Sequence, residues 1–372
     1  TDNSLTTAER AQYKAEAKIF RAMVMFDMVR LWGDFPVITT VADDITSENI
    51  DEVYPQYFPK QNTELEAYQQ IEKDLLDAVL YAPDNTPGNK TLFSKSVART
   101  LLAKIYAEKP LRDYTKVIQY CDEVKADGFD LVDDFSDLFG MNAAGTDAKM
   151  RNTKESILEA QFTSGAGNWC TWMFGRDLVN WNNNFTWAKW VTPSRDLISA
   201  FKQEGDEVRF KESIVYYDCN WSNYYPSDNY PFMYKCRSAN SSIIKYRYAD
   251  VLLLKAEALI MQDTPDLEGA ADIIDKVRDR AKLGALPTSV RSNKNAMLNA
   301  LLKERRLELA FEGQRWFDLV RLDKVEEVMN AVYAKDSGRK AQIYTFDKNS
   351  YRLPIPQSVI DANDKIHQNP GY

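Results

Sequence analysis

The chain has 372 residues, of which 44% are hydrophobic and 27% charged, a balance typical of a folded protein with a substantial core. Its 47 basic and 55 acidic side chains give a net charge of −8, which argues against a general nucleic-acid binder. His367 is the single histidine, so histidine-based triads and histidine-rich metal sites are nearly excluded. The four cysteines have no C-x-x-C spacing, which excludes zinc ribbons and thioredoxin-like motifs.

Helix start and stop signals recur through the first third of the chain. Thr6 with Glu9 and Thr63 with Glu66 form two capping boxes, in which hydroxyl and carboxylate oxygens can satisfy backbone N–H groups of the first turn. Glycine or proline follows the apolar stretches, as expected where a helix ends. The sequence therefore predicts helices within residues 6–33, 63–83, 94–110 and 113–128.

The helical pattern resumes in the last third, with helices predicted within residues 246–262, 266–283, 293–312 and 316–335. Alanines stand where neighbouring helices would approach closely: Ala98, Ala103, Ala107, Ala249, Ala256, Ala258, Ala270 and Ala271. Such helical pairs are typical of tetratricopeptide-like arrays. Because no strict period survives, we expect a mostly α fold in which residues 1–128 and 246–340 form a divergent helical repeat scaffold.

Residues 129–245 differ in composition and are predicted to form a large loop-rich insertion. They hold six of the eight tryptophans, and Asn, Ser, Gly and aromatic residues dominate them. One helix is predicted there, starting at Thr192-Pro193 and ending at Gly205, and residues 155–162 favour a strand. The last segment, residues 341–372, is predicted to form a short hairpin, with strands at 343–346 and 351–353, and a tail that packs on the scaffold.

Aromatic side chains of the insertion are the candidate ligand-binding residues. A sugar ring has an apolar C–H face and a hydroxyl rim, so it needs flat aromatic platforms beside amide, carboxylate or guanidinium groups. Rings among loops rich in Asn and Gly are hard to bury, because that backbone needs water or partners. The alternative is that the rings form the insertion's own core, as expected for Trp190, Phe201 and Phe210. The predicted ligand-binding residues are Trp169, Trp172, Arg176, Asp177, Trp181, Asn182, Asn183, Trp187, Trp221, Tyr224, Tyr225 and Tyr230.

Charged residues near the end of the predicted helix at 293–312 have two interpretations. Glu304, Glu308 and Glu312 lie on one ridge, and arginines stand close along the chain at Arg305, Arg306, Arg315 and Arg321. Such a set could form an anion site or a carboxylate pair. Charges interleaved with an apolar helical stripe are more often structural, so we expect an interhelical salt-bridge network. The sequence identifies no catalytic residue.

Two further features leave alternatives open. A disulfide between Cys219 and Cys236 would stiffen the tract between them in an oxidising compartment, but the sequence alone does not show that the two meet. Asp133, Asp134 and Asp137 could bind calcium, but they lack an ordered loop spacing and are expected to be solvated. No cofactor and no metal is predicted.

Four segments, in order along the chain, resemble the SusD/RagB family of outer-membrane glycan-binding lipoproteins. The strongest resemblance is KERRLELAFEGQRWFDLVR at residues 303–321. The others are residues 20–36, the stretch YRYADVLLLKAEA at 246–258, and the ending, LPIPQ at 353–357 with QNPGY at 368–372. The resemblance covers the helical frame and matches the insertion only in position.

The resemblance implies a binding protein without catalysis, which holds an oligosaccharide or polysaccharide over a SusC-like TonB-dependent transporter for nutrient uptake. It implies a cell-surface location on the outer membrane, with a lipid anchor on an N-terminal part that is expected to be absent from this chain. The helical repeats would face the transporter and the insertion would face the glycan. The alternatives are an all-helical glycoside hydrolase, which needs two facing carboxyl groups, and a repeat scaffold that binds peptides or proteins.

Overall fold

The computed structural model of the chain describes residues 4–163, 167–168, 192–218, 225, 229–335 and 345–372. Within these ranges it has 15 α-helices, so the expected mostly α fold is confirmed. The helices are α1 Thr7–Trp32, α2 Ile50–Val53, α3 Glu64–Tyr81, α4 Lys95–Ala107, α5 Tyr114–Ala126, α6 Ser136–Phe139, α7 Arg195–Glu204, α8 Glu207–Ser213, α9 Tyr248–Met261, α10 Leu267–Arg280, α11 Thr288–Arg291, α12 Lys294–Glu308, α13 Arg315–Arg321, α14 Val325–Lys335 and α15 Gln357–Ala362. Short 3-10 helices lie at Tyr54–Tyr57, Lys109–Leu111 and Lys348–Tyr351.

The helical scaffold is an array in which each long helix packs on the next. Helix α1 packs on α3, α3 on α4, α4 on α5, α5 on α9, α9 on α10, and α10 on α12. Both predicted capping boxes are present, at Thr6 with Glu9 and at Thr63 with Glu66. Ala98, Ala103, Ala256, Ala258, Ala270 and Ala271 are fully buried in the main core, because a small side chain lets neighbouring backbones approach closely.

The predicted helix at 316–335 is two helices, α13 and α14. Asp323 lies between them with φ at 54°, a left-handed conformation that an α-helix does not tolerate but that Asp adopts more readily than most residues. The backbone N–H of Lys324 donates to the carbonyl of Leu319 at 2.8 Å, which closes the turn. In the described residues, no helix combines the length and the apolar content needed to cross a bilayer.

Two small antiparallel sheets lie in the chain between α6 and α9. Strand β1 (Ser156–Ala160) pairs with β4 (Ile243–Arg247), and β2 (Ile214–Tyr217) pairs with β3 (Tyr230–Met233). The strand expected within residues 155–162 is therefore confirmed. Strand β4 runs directly into α9, and the backbone N–H of Tyr248 donates to the Glu155 carbonyl at 2.9 Å. The sheet of β1 and β4 is thus connected directly to helix α9. Helix α8, which leads into β2, had no counterpart among the predicted elements.

The predicted C-terminal hairpin is wrong for the part of it that the structure describes. Residues 345–346 and 351–353 form no strand, and the 3-10 helix Lys348–Tyr351 includes the first residue of the predicted second strand. Asp347 caps this helix by accepting from the backbone N–H groups of Asn349 and Ser350, which curls the chain where a hairpin needs it extended. Residues 343 and 344 of the predicted first strand lie outside the described residues.

The tail after this turn bonds to the end of α1 instead of to itself. The backbone N–H of Leu353 donates to the Leu31 carbonyl at 2.7 Å, and the Asn369 side-chain amide donates to the Trp32 carbonyl at 2.9 Å. These bonds satisfy carbonyl groups that a helix end leaves without an intrahelical partner. The division of the chain into a scaffold (1–128 and 246–340), an insertion (129–245) and a tail (341–372) stays a prediction.

Candidate functional site

Helix α7 forms one side of the candidate site. The Ser194 hydroxyl caps it by accepting from the backbone N–H of Leu197 at 3.1 Å, and Gly205 ends it in the left-handed conformation. Its inner face buries Leu197, Ile198 and Phe201, which pack with β2 and with Leu307 of α12. The polar side chains of its other face therefore point away from the core, at positions close to the 3.6-residue period of a helix.

An open pocket of about 480 Å³ lies against this polar face. Tyr216 of β2 contributes one half-buried aromatic ring to the pocket and Tyr225 contributes another. Hydroxyl, amide and cationic groups surround the two rings. The lining residues that the structure describes are Arg195, Ile198, Ser199, Lys202, Gln203, Tyr216, Tyr225 and Asn229.

Tyr225 is held in place by contacts on more than one side. Its phenolic O–H donates to the Pro193 carbonyl at 2.8 Å, and its ring packs edge-to-face against Tyr230 with centroids 5.6 Å apart. The guanidinium of Arg195 lies over the ring, 5.3 Å from its centroid. A fixed ring is a better platform than a mobile one, since less side-chain entropy is lost on binding.

The structure describes two of the twelve predicted ligand-binding residues. Tyr225 lines the pocket, and its part in ligand binding stays a prediction. Tyr230 does not line the pocket: it is 4% exposed, it packs on Phe232, and its hydroxyl lies 2.8 Å from the Thr192 hydroxyl. Its strand β3 is buried on both faces, so no side chain of this strand can present an open ring to solvent.

The other ten predicted residues lie outside the described residues, and their part in the site stays a prediction: Trp169, Trp172, Arg176, Asp177, Trp181, Asn182, Asn183, Trp187, Trp221 and Tyr224. Cys219 also lies outside them, so the disulfide with Cys236 stays an alternative, as it was from the sequence. Among the expected core rings, Phe201 is 1% exposed and packs edge-to-face on the partly buried Phe210. Trp190 is outside the described residues.

Sequence reasoning missed most of the pocket lining. The signal available for α7 was its amphipathic spacing, since Arg195, Ser199, Lys202 and Gln203 fall on the side opposite the buried residues. No comparable signal marked Tyr216, because a strand of four residues is too short to show a reliable alternation.

Buried ion pairs connect this region to the scaffold. Arg209 of α8 is fully buried, and its guanidinium donates to Asp206 at 2.5 Å, to Glu304 at 2.6 Å and to Glu308 at 3.1 Å. The last two acids lie on α12, so α8 and the strand that follows it are fixed directly to the scaffold. The interpretation of the Glu304–Glu308 ridge as a salt-bridge network is confirmed.

Glu308 is the centre of this network. It accepts from Arg209, from Arg247 at 2.5 Å and from Arg280, and the last two also bind Glu155 at 2.7 Å each. Burial alone would raise the pKa of Glu308, but the three guanidinium groups hold that pKa well below its usual range. The carboxylate is therefore ionised and committed to its arginines, which leaves it unsuited to act as a catalytic acid.

Lys235 is the lysine of this network and is almost fully buried. Its ammonium donates to Glu312 at 2.6 Å and to the Glu308 carbonyl at 2.9 Å. Burial lowers the pKa of Lys235 to about 8, although the carboxylate of Glu312 opposes the shift. Burial thus weakens the hold of the Lys235 ammonium on its proton.

The other arginines of residues 303–321 also have structural partners. Arg305 binds Asp318 at 2.8 Å and Asp250 at 2.7 Å, and Arg321 binds Glu257 at 2.7 Å. Arg306 binds Asp196 of α7 at 2.5 Å. Arg315 instead donates to the Leu302 carbonyl at 3.0 Å.

The acidic residues considered as calcium ligands form ion pairs with lysines. Asp134 and Asp137 both pair with Lys149, at 3.0 and 2.6 Å, and Asp133 pairs with Lys154 at 3.1 Å. A lysine ammonium between two carboxylates occupies the place that a cation would take. Over the described part of the chain, no group of three or more metal-ligating side chains comes together.

Comparison with known proteins gives two family matches. Residues 228–372 match the model described as SusD family, and residues 2–107 match the model described as "Starch-binding associating with outer membrane". The chain is a SusD-like protein. The stretch 108–227, which lies between the two matched ranges, contains every described pocket residue except Asn229.

Relatives and solved structures agree with this family. A SusD-like protein of Formosa agariphila is 28% identical over 96% of this chain and 74% of its own length. A SusD superfamily protein of Parabacteroides distasonis has a TM-score of 0.76 at 22% identity, covering all of this chain and 81% of that structure. A laminarin-binding SusD-like protein has a TM-score of 0.73 at 24% identity, with 100% and 81% covered. At these identities the two structures establish the SusD-like fold of this chain.

Proposed function

We propose that this SusD-like protein binds glycans without modifying them. The observation that carries the proposal is the open pocket in which the rings of Tyr216 and Tyr225 stand beside Ser199, Gln203 and Asn229. Aromatic rings can pack on the apolar face of a sugar, and hydroxyl and amide groups can bond its hydroxyls. The starch-binding description of one family model and the laminarin-binding neighbour support a glycan as the ligand class.

Binding is favoured over hydrolysis by the placement of the carboxylates. A glycoside hydrolase needs two carboxyl groups about 5–10 Å apart across the scissile bond, and the described lining of the pocket contains none. Glu304 and Glu308 are buried, pair with arginines and do not line the pocket. No observation on the described residues favours the peptide-binding alternative.

The aromatic wall is tested by isothermal titration with an oligosaccharide identified on a glycan array. Tyr216→Ala should weaken binding at least about tenfold, a loss of about 1.4 kcal/mol. Tyr225→Phe keeps the ring and loses the bond to the Pro193 carbonyl, so it should weaken binding less. Tyr13→Ala, at a tyrosine of α1 that is 54% exposed, is the matched control and should bind normally.

Hydrolysis is tested on the same oligosaccharide. Incubation with the protein should release no reducing ends. Product formation that a single carboxylate substitution abolishes would defeat the proposal and support the hydrolase instead.

The tryptophans of residues 129–245 are proposed to extend this binding surface. Trp169→Ala, Trp172→Ala and Trp221→Ala should each weaken glycan binding and leave the melting temperature nearly unchanged. If all three changes unfold the protein, the rings belong to a core and this extension of the site is wrong.

We further propose that the protein works at the cell surface, lipid-anchored to the outer membrane, with a SusC-like TonB-dependent transporter in nutrient uptake. The family description "associating with outer membrane" supports the location. In cells that express it, the protein should be labelled by a membrane-impermeant reagent and should co-purify with a TonB-dependent transporter. Labelling without any co-purified transporter would support the cell-surface location and contradict the partnership with the transporter.

A further inference from the structure

Helix α7 sorts its charged side chains between its two sides. Its acids point to the scaffold, where Asp196 pairs with Arg306 at 2.5 Å and Glu204 pairs with Arg278 at 2.7 Å. Its cations, Arg195 and Lys202, line the pocket. One helix with two acids and two cations therefore presents only positive charge to the ligand side.

The described lining of the pocket contains no acid that could offset the Lys202 ammonium. Asp196 and Glu204 are already neutralised by their own partners, and the other lining groups are hydroxyls, amides and one isoleucine. Lys202 is exposed and forms no ion pair within the described part of the chain. Its ammonium can therefore contact a ligand without first having to break a salt bridge.

We infer that the pocket selects glycans that carry anionic groups, either carboxylates, as in uronic acids, or sulfate esters. This inference rests on the proposed glycan-binding function and names its ligand class. A sugar packed on Tyr216 or Tyr225 has its substituents near the Lys202 ammonium and the Arg195 guanidinium, which lies over the Tyr225 ring. Carboxylate and sulfate oxygens form charge-assisted hydrogen bonds with such groups, which neutral hydroxyls match less well.

Three hexasaccharides of equal length distinguish the possibilities. Laminarihexaose is neutral, hexagalacturonate carries carboxylates, and a carrageenan hexasaccharide carries sulfates. At low salt, at least one of the anionic probes should bind more tightly than laminarihexaose. The difference should shrink as salt rises from about 0.1 M to 1 M, because the Debye length falls from about 10 Å to about 3 Å.

Substitution of Lys202 separates charge recognition from general binding. Lys202→Gln should weaken the preferred anionic probe about two- to fivefold, the range of an exposed ion pair, and should leave laminarihexaose unchanged. The matched control is Lys211→Gln, at an exposed lysine of α8 that does not line the pocket. It should change the affinity for neither probe.

The failures of the two proposals are distinguishable. If laminarihexaose binds as tightly as both anionic probes, and Tyr216→Ala still weakens it, glycan binding stands and the charge preference is refuted. Equal effects of Lys202→Gln and Lys211→Gln on the anionic probe would also refute it. If none of the glycans on the array or among these probes binds, the proposed function itself fails.

Discussion

Replacement of Arg209 by methionine tests whether the buried network holds the pocket region on the scaffold. The guanidinium is fully buried and neutralises Asp206, Glu304 and Glu308, while methionine fills a similar volume without charge. Glu308 keeps two other arginines and Glu304 keeps Arg278 at 3.2 Å. Asp206 keeps a single bond, from the backbone N–H of residue 209 at 3.1 Å.

The expected cost of this replacement is large because three buried carboxylates lose the cation of Arg209. Breaking a buried ion pair from one side costs about 3–5 kcal/mol, and we expect Arg209→Met to lower the free energy of unfolding by that amount. Chemical denaturation and the melting temperature measure it. The matched control is Lys154→Met, which removes an exposed pair with Asp133 at 3.1 Å and should cost less than about 1 kcal/mol. Equal losses for the two variants would refute the structural role assigned to the network.

Three other predictions concern pH, the tail and the position of α7. Burial lowers the pKa of Lys235 to about 8, so between about pH 8 and 10.4 the unfolded chain binds more protons than the folded one. The free energy of unfolding should therefore contain a contribution from Lys235 that rises with pH over that window. Lys235→Met should remove this rise in pH-dependent melting curves. Asn369→Ala deletes bonds to the carbonyls of Trp32 and Leu353 and should cost about 1–2 kcal/mol in chemical denaturation; no loss would mean that the tail adds nothing to stability. Arg306→Gln releases Asp196 of α7 and should weaken neutral and anionic glycans by the same factor in titrations, whereas an effect on anionic glycans alone would contradict a positioning role.

Local signals were sufficient to predict the frame from the sequence. The capping boxes at Thr6 and Thr63 depend on residues three apart, so they form wherever the helix forms. The spacing of Glu304 and Glu308 among apolar residues is also a local signal. It places both carboxylates on a face that neighbouring helices cover, so the salt-bridge network could be predicted. In both cases the information lies within one or two helical turns.

The errors occurred where distant segments decide the outcome. Tyr230 was predicted to be an open ring because it follows a polar stretch of the insertion, but its burial comes from Thr192 and Phe232 and from the other strand of its sheet. The predicted hairpin had suitable β-formers, yet the cap at Asp347 and the carbonyl groups at the end of α1 compete for the same backbone. Neither competitor can be read from the local pattern.

Stability and ligand choice are carried by different side chains of the same segment. Arg209 is buried among carboxylates, so any change there carries the penalty of a buried charge. Lys202, seven positions earlier, is exposed and forms no ion pair within the described ranges, so its replacement should leave the frame intact. A substitution at Lys202 can therefore change the charge of the pocket while the ion pairs to α12 stay the same. A stability loss on Lys202→Gln as large as that on Arg209→Met would contradict this separation.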